Sequence, residues 1–452
     1  MTRQEIQDKI DDAFNQDSDD LVLVDLPASD EPHVLDGPLR LKPGVHLQGA
    51  GSKTVLTTTD RNVNLIELDP GNDTAAHDIT ISRLHLVGPS DDPDITQAVS
   101  DSEIKGCGIL ASTRQDPNAV DQVVRNIVIE ECVIKNVSGC GIRFDTRQDI
   151  LVEKITIKDC QLLQNRRPPE SGRPDPYKDI YFYGTRFQDI RLEGNTCSFT
   201  HNNLSLYGND SGIAFVNNFD NFLTDETGKV VTDETGARVL KPRDEWRLGF
   251  VKNVVIRNNE CHGHRRHGII INYGNLVAEN VDARDNVCRN NRWVGLYVNT
   301  MNGVDDGRNV DIQNNTCEHN GYGGFGDPTA GDASIRGGIV LNGCYNSHTI
   351  KNNHCNGNGN PSEGFKQTDD SARHAAGIRV RGKNLTIGQN ETKNNKGGTI
   401  VEWPEPFENV TIQKPQPATA TASTSAVGET STVVNKEDKN GNKGCLFAFL
   451  PF

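Results

Sequence analysis

The stretch NVVIRNNECHGHRRHGIIIN, residues 253–272, packs Cys261, His262, His264 and His267 into seven residues. Taken alone it reads as a metal or catalytic site. Aligned with the rest of the chain it becomes one copy of a repeat. NIVIEECVIKNVSGCGIRFD (126–145), NVCRNNRWVGLYVN (286–299), NVDIQNNTCEHN (309–320) and SHTIKNNHCNGN (347–358) share an I-x-N-N-x-C segment, a turn and a G-I-x-Φ-x segment. The cysteine position runs Cys197, Cys261, Cys288, Cys317, Cys355, with Ile134 and Leu162 before it and Thr392 after it. Spacings of 27 and 29 from Cys261 to Cys288 to Cys317 are one short coil, whereas gaps of 38 and 64 carry inserted loops.

Each half-unit alternates apolar and polar residues with period two, which is a strand. A strand that recurs once per coil, with no room for a crossover helix, stacks in parallel on its own copy. The expected fold class is therefore all-β: a single-stranded right-handed parallel β-helix, with equivalent positions about 4.8 Å apart. Asn195, Asn259, Asn286, Asn315, Asn353 and Asn390 then form one amide ladder, and Cys132 and Cys160 stand at that position in earlier coils. Cys261 shares its inward column with apolar residues, so it reads as a small hydrophobe. Neighbouring cysteines with parallel Cβ vectors are expected to be reduced. A zinc site would need Cys/His pairs from two loops, and the sequence holds no second cluster of that kind. His262, His264 and His267 are expected in the turn and at the edge of the following strand.

Composition agrees with a thin solenoid. Of 452 residues only 34% are hydrophobic, while 43 are glycine, which suits a narrow core and many turns. The formal charge of -15 leaves no long basic face, which argues against a nucleic-acid partner. No stretch approaches the roughly 20 apolar residues that span a bilayer. The start MTRQEIQDKIDDAFNQ has no apolar run of signal-peptide length. A cytoplasmic protein, or one released without an N-terminal signal, is expected, or a secreted one whose signal lies outside this sequence. Eleven cysteines, an odd number, weaken a disulfide framework.

The repeat resembles that of the pectate-lyase-like superfamily of parallel β-helix proteins, and LDGPLRLKPGVHLQGAGSKTVL (35–56) resembles the first coil of such proteins after a capping helix. The resemblance covers residues 3–414. It implies the fold, but that fold hosts lyases, hydrolases, epimerases, tailspikes and binding proteins. Polygalacturonase-type hydrolases carry N-T-D, D-D, G-H-G and R-I-K in that order. Here NTMNGVDD (299–306) follows HGH (262–264) and lacks the aspartate of the first motif; the D-P-H signature of alginate epimerases is also absent.

The expected organisation is a capping helix over residues 1–16, the β-helix over 17–414 with a hairpin excursion at 212–250, and a tail over 415–452. The excursion is marked by two TDETG turns flanking β-branched runs. The tail is a flexible, disordered linker ending in the apolar CLFAFLPF. That end is expected to fold back over the open end of the solenoid or to dock a partner.

Two outward columns follow the cysteine turn. The first reads Leu110, Arg143, Tyr181, Ser205, Ile270, Tyr297, Val340, Arg379; the second reads Ser112, Asp145, Tyr183, Tyr207, Asn272, Asn299, Asn342, Arg381. Tyrosine, asparagine and arginine on one face suit sugar contact or a solvated polar sheet. Loops entering this strand add Arg292, Trp293, Arg336 and His374, and with Arg265 and Arg266 they concentrate positive charge on an acidic protein. Such arginines suit carboxylate binding. The expected ligand is a polysaccharide or oligosaccharide. The resemblance implies proton abstraction at C5 of a uronosyl residue by a lyase or epimerase. His267, Arg292, Tyr297 and Arg379 are then the catalytic candidates. Tyr207, Asn272, Trp293, Asn299, Arg336, Asn342, His374 and Arg381 are the candidates for substrate contact. No cofactor is expected except, in a lyase, calcium held by Asp305, Asp306 or Asp327. A non-catalytic glycan-binding or tailspike-like protein is the alternative.

Overall fold

The computed structural model describes residues 1–16, 20–68, 76–89, 105–113, 123–146, 150–165, 178–199, 210–217, 249–273, 276–299, 308–323, 336–362, 375–398, 400–402, 411–412 and 431–432, with isolated residues between 223 and 245. The chain winds as a parallel β-helix with three strands per coil. One coil comprises Gly249–Arg257 on face 1, Glu260–His262 on face 2 and His267–Tyr273 on face 3. The next coil repeats this as Leu276–Arg284, Val287–Arg289 and Val294–Asn299, each parallel and in register with its predecessor. Face 2 is a nine-stranded sheet of short strands. Faces 1 and 3 merge into one 22-stranded sheet, because strands such as Gly337–Lys351 run round the corner between them. The coil is right-handed, the hand that parallel crossovers adopt.

The Asn-Asn pairs of the repeat have separate jobs. Asn258, Asn314 and Asn352 take the left-handed backbone (φ 54°, 55° and 56°) that turns the chain between faces 1 and 2. Asparagine tolerates that region better than most side chains. The second residue of each pair points inward. Asn259 Nδ2 donates to Asn286 Oδ1 at 3.0 Å, Asn286 to Asn315 at 2.9 Å, Asn315 to Asn353 at 3.0 Å and Asn353 to Asn390 at 3.0 Å. Each amide also reaches a strand-end carbonyl, as Asn286 does to Ile256 O at 2.9 Å. A second buried ladder, Asn291, Asn320, Asn358 and Asn395, lines the corner between faces 2 and 3.

The cysteine column has the expected register: Ile134, Leu162, Cys197, Cys261, Cys288 and Cys317 pair in turn. Its five thiols are fully buried and free. Face 3 contributes stacked Phe144, Phe182 and Phe215, with centroids 4.9 and 4.6 Å apart. The G-I signature has a steric cause. A Cβ on Gly212, Gly268 or Gly295 would lie 2.7, 2.7 and 2.8 Å from the carbonyl oxygen of the equivalent glycine in the next coil. In these coils a side chain is thus excluded at the glycine position.

The N-terminal helix, Arg3–Phe14, is capped by Thr2 and buries Ile6, Ile10 and Ala13 over the first coil. Gln7 acts as a surrogate strand edge: Oε1 accepts from Arg40 N at 2.9 Å and Nε2 donates to Arg40 O at 3.1 Å. Two boundaries of the expected excursion move inward. Residues 212–217 and 249–250 belong to the solenoid strands Ser211–Asn217 and Gly249–Arg257. The flanking runs alternate as the solenoid strands do, and most of the interval between them lies outside the described residues. Of the tail, only Ser431–Thr432 is described; it pairs antiparallel with Thr411–Ile412.

Candidate functional site

The three histidines of the opening stretch diverge. His262 lies on face 2, half-buried. His264 turns inward: its Nδ1 is 2.9 Å from Asn291 Oδ1 and its Nε2 is 2.9 Å from Asp179 Oδ2, so it starts the second amide ladder. Asp179 stands where other coils place the crowded glycine, and it also accepts from Asn165 Nδ2 at 3.1 Å. His267 opens face 3. The cluster is therefore not a shared ligand set, and among the described residues no group of three or more His, Cys, Asp or Glu is arranged to hold a metal.

On face 3 the first column runs Leu110, Arg143, Tyr181, Ala214, Ile270, Tyr297, Val340, Arg379. Ala214 replaces the expected Ser205, because the segment between Cys197 and the strand Ser211–Asn217 is longer than the one between Cys261 and the strand His267–Tyr273 in the next coil. Ser205 and Tyr207 lie outside the described residues, as do His374, Asp305, Asp306 and Asp327; the side chains of Asn272, Asn342 and Arg381 also lie outside them. The column is not an open groove. Tyr297 is 2% exposed, Ile270 2% and Arg379 8%, and most of its members form a second apolar layer together with Trp293 and Val294. Burial alone lowers the proton affinity of Arg379.

A further column, Lys178, Ser211, His267, Val294, Gly337 and Ala376, carries the chemistry. Asp210, just before its strand, is the hub. Its Oδ2 is 2.8 Å from Lys178 Nζ and its Oδ1 is 2.9 Å from Arg266 Nε, all three side chains being under a tenth exposed. Burial works against its charge, but Arg266 and Lys178 outweigh it and hold the carboxyl at about 2. The Asp210 carbonyl also accepts from Arg266 N at 2.8 Å, so one residue fixes both the backbone and the side chain of the next coil.

His267 sits beside this hub, 1% exposed. Ser211 Oγ lies 3.4 Å from its Nδ1 and 3.3 Å from Asp210 Oδ2. The other ring nitrogen, Nε2, is buried and has no hydrogen-bond partner among the described residues. Burial, reinforced by Arg266, Lys178 and Arg336 against the pull of Asp210, lowers His267 to about 3. The imidazole is therefore neutral at neutral pH. Its ring stacks on Tyr297 (centroids 5.4 Å apart, 19° between planes) and meets Trp293 edge-on at 5.7 Å. Trp293 carries the guanidinium groups of Arg336 at 4.4 Å and Arg266 at 4.9 Å over its ring.

Of the expected site residues, His267, Trp293, Tyr297 and Arg336 meet. Arg292 is buried in the turn before Trp293, its backbone N–H donating to His264 O at 3.0 Å. Asn299 pairs with Asn342 in the strand ladder on the rung of Tyr297. Arg379 stands two rungs beyond Tyr297. Lys178, Asp210 and Ser211 were missed. For Asp210 and Ser211 the signal was present, because SGIAFV (211–216) matches the G-I-x-Φ-x half-unit. Nearer the N-terminus the same face holds a second ion pair, Arg143 with Asp145, the guanidinium lying over Tyr181 at 5.1 Å.

No family model and no curated protein matches the chain. Solved structures do. The A-module of mannuronan C-5 epimerase AlgE4 from Azotobacter vinelandii is 17% identical with a TM-score of 0.42, over 90% of this chain and 95% of that one. The Dettilon tailspike protein is 12% identical with a TM-score of 0.45, over 90% and 64%. A family 28 exopolygalacturonase from Yersinia enterocolitica is 12% identical with a TM-score of 0.42, over 90% and 75%. These are likenesses of fold alone. By its own strand register and coil, the chain is a right-handed parallel β-helix.

Proposed function

We propose that this is a carbohydrate-active protein whose face 3 cluster binds a uronic-acid-containing polysaccharide and abstracts the C5 proton, as a lyase or an epimerase. The observation that carries the reading is His267 Nε2, a buried nitrogen with no hydrogen-bond partner among the described residues, beside Lys178, Arg266 and Arg336. An unpaired buried polar atom is costly, and active sites are where that cost is tolerated. A uronate carboxylate lodged among these cations would offset the charge that keeps His267 neutral, so the substrate would raise the proton affinity of its own base. The C5–H bond then breaks, its proton passes to Nε2, and its electron pair enters the carboxylate, whose added charge the guanidinium groups of Arg266 and Arg336 stabilise. Loss of the C4 substituent gives elimination; return of a proton to the opposite face gives epimerisation. Because these side chains are buried, entry of a sugar requires the face to open.

Non-catalytic glycan binding is the second reading, and the low proton affinity of His267 favours it. Incubation with a panel of uronans in deuterated water, read by unsaturated-product absorbance and by exchange at C5, separates the two. Under the first reading His267→Gln lowers turnover by about 100-fold or more and leaves binding within a few fold. Binding without turnover establishes the second, and neither binding nor turnover refutes both.

A further inference from the structure

We infer that Ser211 relays the charge of Asp210 to His267, fixing the imidazole tautomer with its proton on Nδ1 and leaving Nε2 a bare acceptor facing the site. Ser211 owns one hydroxyl proton and has two acceptors in reach, Asp210 Oδ2 at 3.3 Å and His267 Nδ1 at 3.4 Å. Asp210 is ionised and accepts only, and a hydrogen bond to a carboxylate is roughly twice as strong as one between neutral groups. The hydroxyl therefore donates to Asp210. Its oxygen then faces Nδ1 with a lone pair, which Nδ1 satisfies by donating.

The chain Asp210, Ser211, His267 thus differs from the arrangement in which a histidine bonds a carboxylate directly. The serine stands between the two and is no nucleophile here, because its proton is committed to the carboxylate. The two cations on Asp210, Lys178 and Arg266, hold that carboxylate in place. When Nε2 takes a proton, the positive charge on the ring is shared through the hydroxyl with Asp210, at no cost in rearrangement. Ser211 is a positioning residue: it acts on substrate only through His267. This inference rests on the proposed role of His267 as proton acceptor, but the tautomer is measurable without any sugar.

The test is nitrogen NMR of protein labelled with ring-¹⁵N histidine, the signals of His267 among twelve histidines being identified by their absence in His267→Gln. The relay requires a protonated Nδ1 and an unprotonated Nε2 in the wild type. In Ser211→Ala the Nδ1 acceptor is gone and the signals shift toward the Nε2–H form; Ser211→Thr, which keeps the hydroxyl, restores the original pattern. A wild type protonated at Nε2 overturns the relay, as does a pattern unmoved by Ser211→Ala. Should that variant fail to fold, the wild-type spectrum decides alone. A wild type with the Nδ1–H pattern but no turnover on any uronan keeps the relay and removes the proposed reaction. Turnover with the opposite tautomer overturns the relay and also removes Nε2 as the base, leaving C5 chemistry that another group must carry out.

Discussion

Replacing Asn286 by Ala tests whether the buried amide ladder carries stability. Its side chain takes part in four hydrogen bonds: Nδ2 donates to Ile256 O and Asn315 Oδ1, and Oδ1 accepts from Asn259 N and Nδ2. Two of the groups involved keep another partner, because Asn259 Nδ2 still reaches Leu192 O and Asn315 Oδ1 still accepts from Asn286 N. The backbone N–H of Asn259 keeps none, in a residue that is 1% exposed. An orphaned buried donor costs about 1–3 kcal/mol and each of the three further lost bonds about 1 kcal/mol, so the substitution is expected to cost about 4–6 kcal/mol. Urea unfolding followed by far-UV circular dichroism measures this, with equal slopes for mutant and wild type as the check on cooperativity. Asn280→Ala is the control. It removes the middle member of an exposed chain of amides, Asn309 to Asn280 to Asn253, at φ 53°, and is expected to cost about 1–2 kcal/mol from the left-handed backbone. If Asn286→Ala costs no more than Asn280→Ala, the inner ladder is packing rather than hydrogen bonding, and the reasoning fails.

Three other outcomes follow from the geometry. His267 falls from 6.5 to about 3 on folding, so between those pH values the unfolded chain binds a proton that the native state refuses. Stability then drops with acid by up to about 1.4 kcal/mol per pH unit across that window, and His267→Gln flattens the slope in a pH series of urea titrations. The inner cysteines are expected to react slowly with a thiol reagent in the native protein and fully in urea, and Cys288→Asp abolishes folding by burying a charge. Rapid native labelling of Cys261, Cys288 and Cys317 contradicts their register. Gly268→Ala sets a Cβ 2.7 Å from Gly295 O, and a melting curve is expected to show a loss of about 1–3 kcal/mol; an unchanged curve removes the steric account of the G-I signature.

The solenoid was legible because its evidence is repeated. A single I-x-N-N-x-C segment is ambiguous, but Asn259, Asn286 and Asn315 at constant offset from Cys261, Cys288 and Cys317 leave one arrangement. The site was less legible for the opposite reason, since its residues break the repeat. Asp210 and Ser211 lie within the longest spacing between inner cysteines, from Cys197 to Cys261, where an alignment anchored on Cys197 slips to Ser205. Lys178 and Asp179 occupy positions where other coils show Ser, Val or Gly, and only the register reveals that one faces Asp210 and the other His264. The burial of Tyr297 and Arg379 has no sequence signal of its own, because a strand pattern states which side of a sheet a residue takes and not what lies against that side.

The inner ladder also has a direction. In every pair the earlier coil donates, through both the backbone N–H and the amide of its asparagine, and the later coil supplies the accepting oxygen. A chain made from its N-terminus therefore always ends, while it grows, in a coil whose two donors await the next Asn-Asn pair. The amino-terminal end needs nothing from later in synthesis, since Gln7 and Arg40 emerge close together and satisfy each other. Assembly during translation becomes vectorial: each finished coil is the mould for one that does not yet exist, and a ribosome stalled between coils would hold a folded stub with a single open rung.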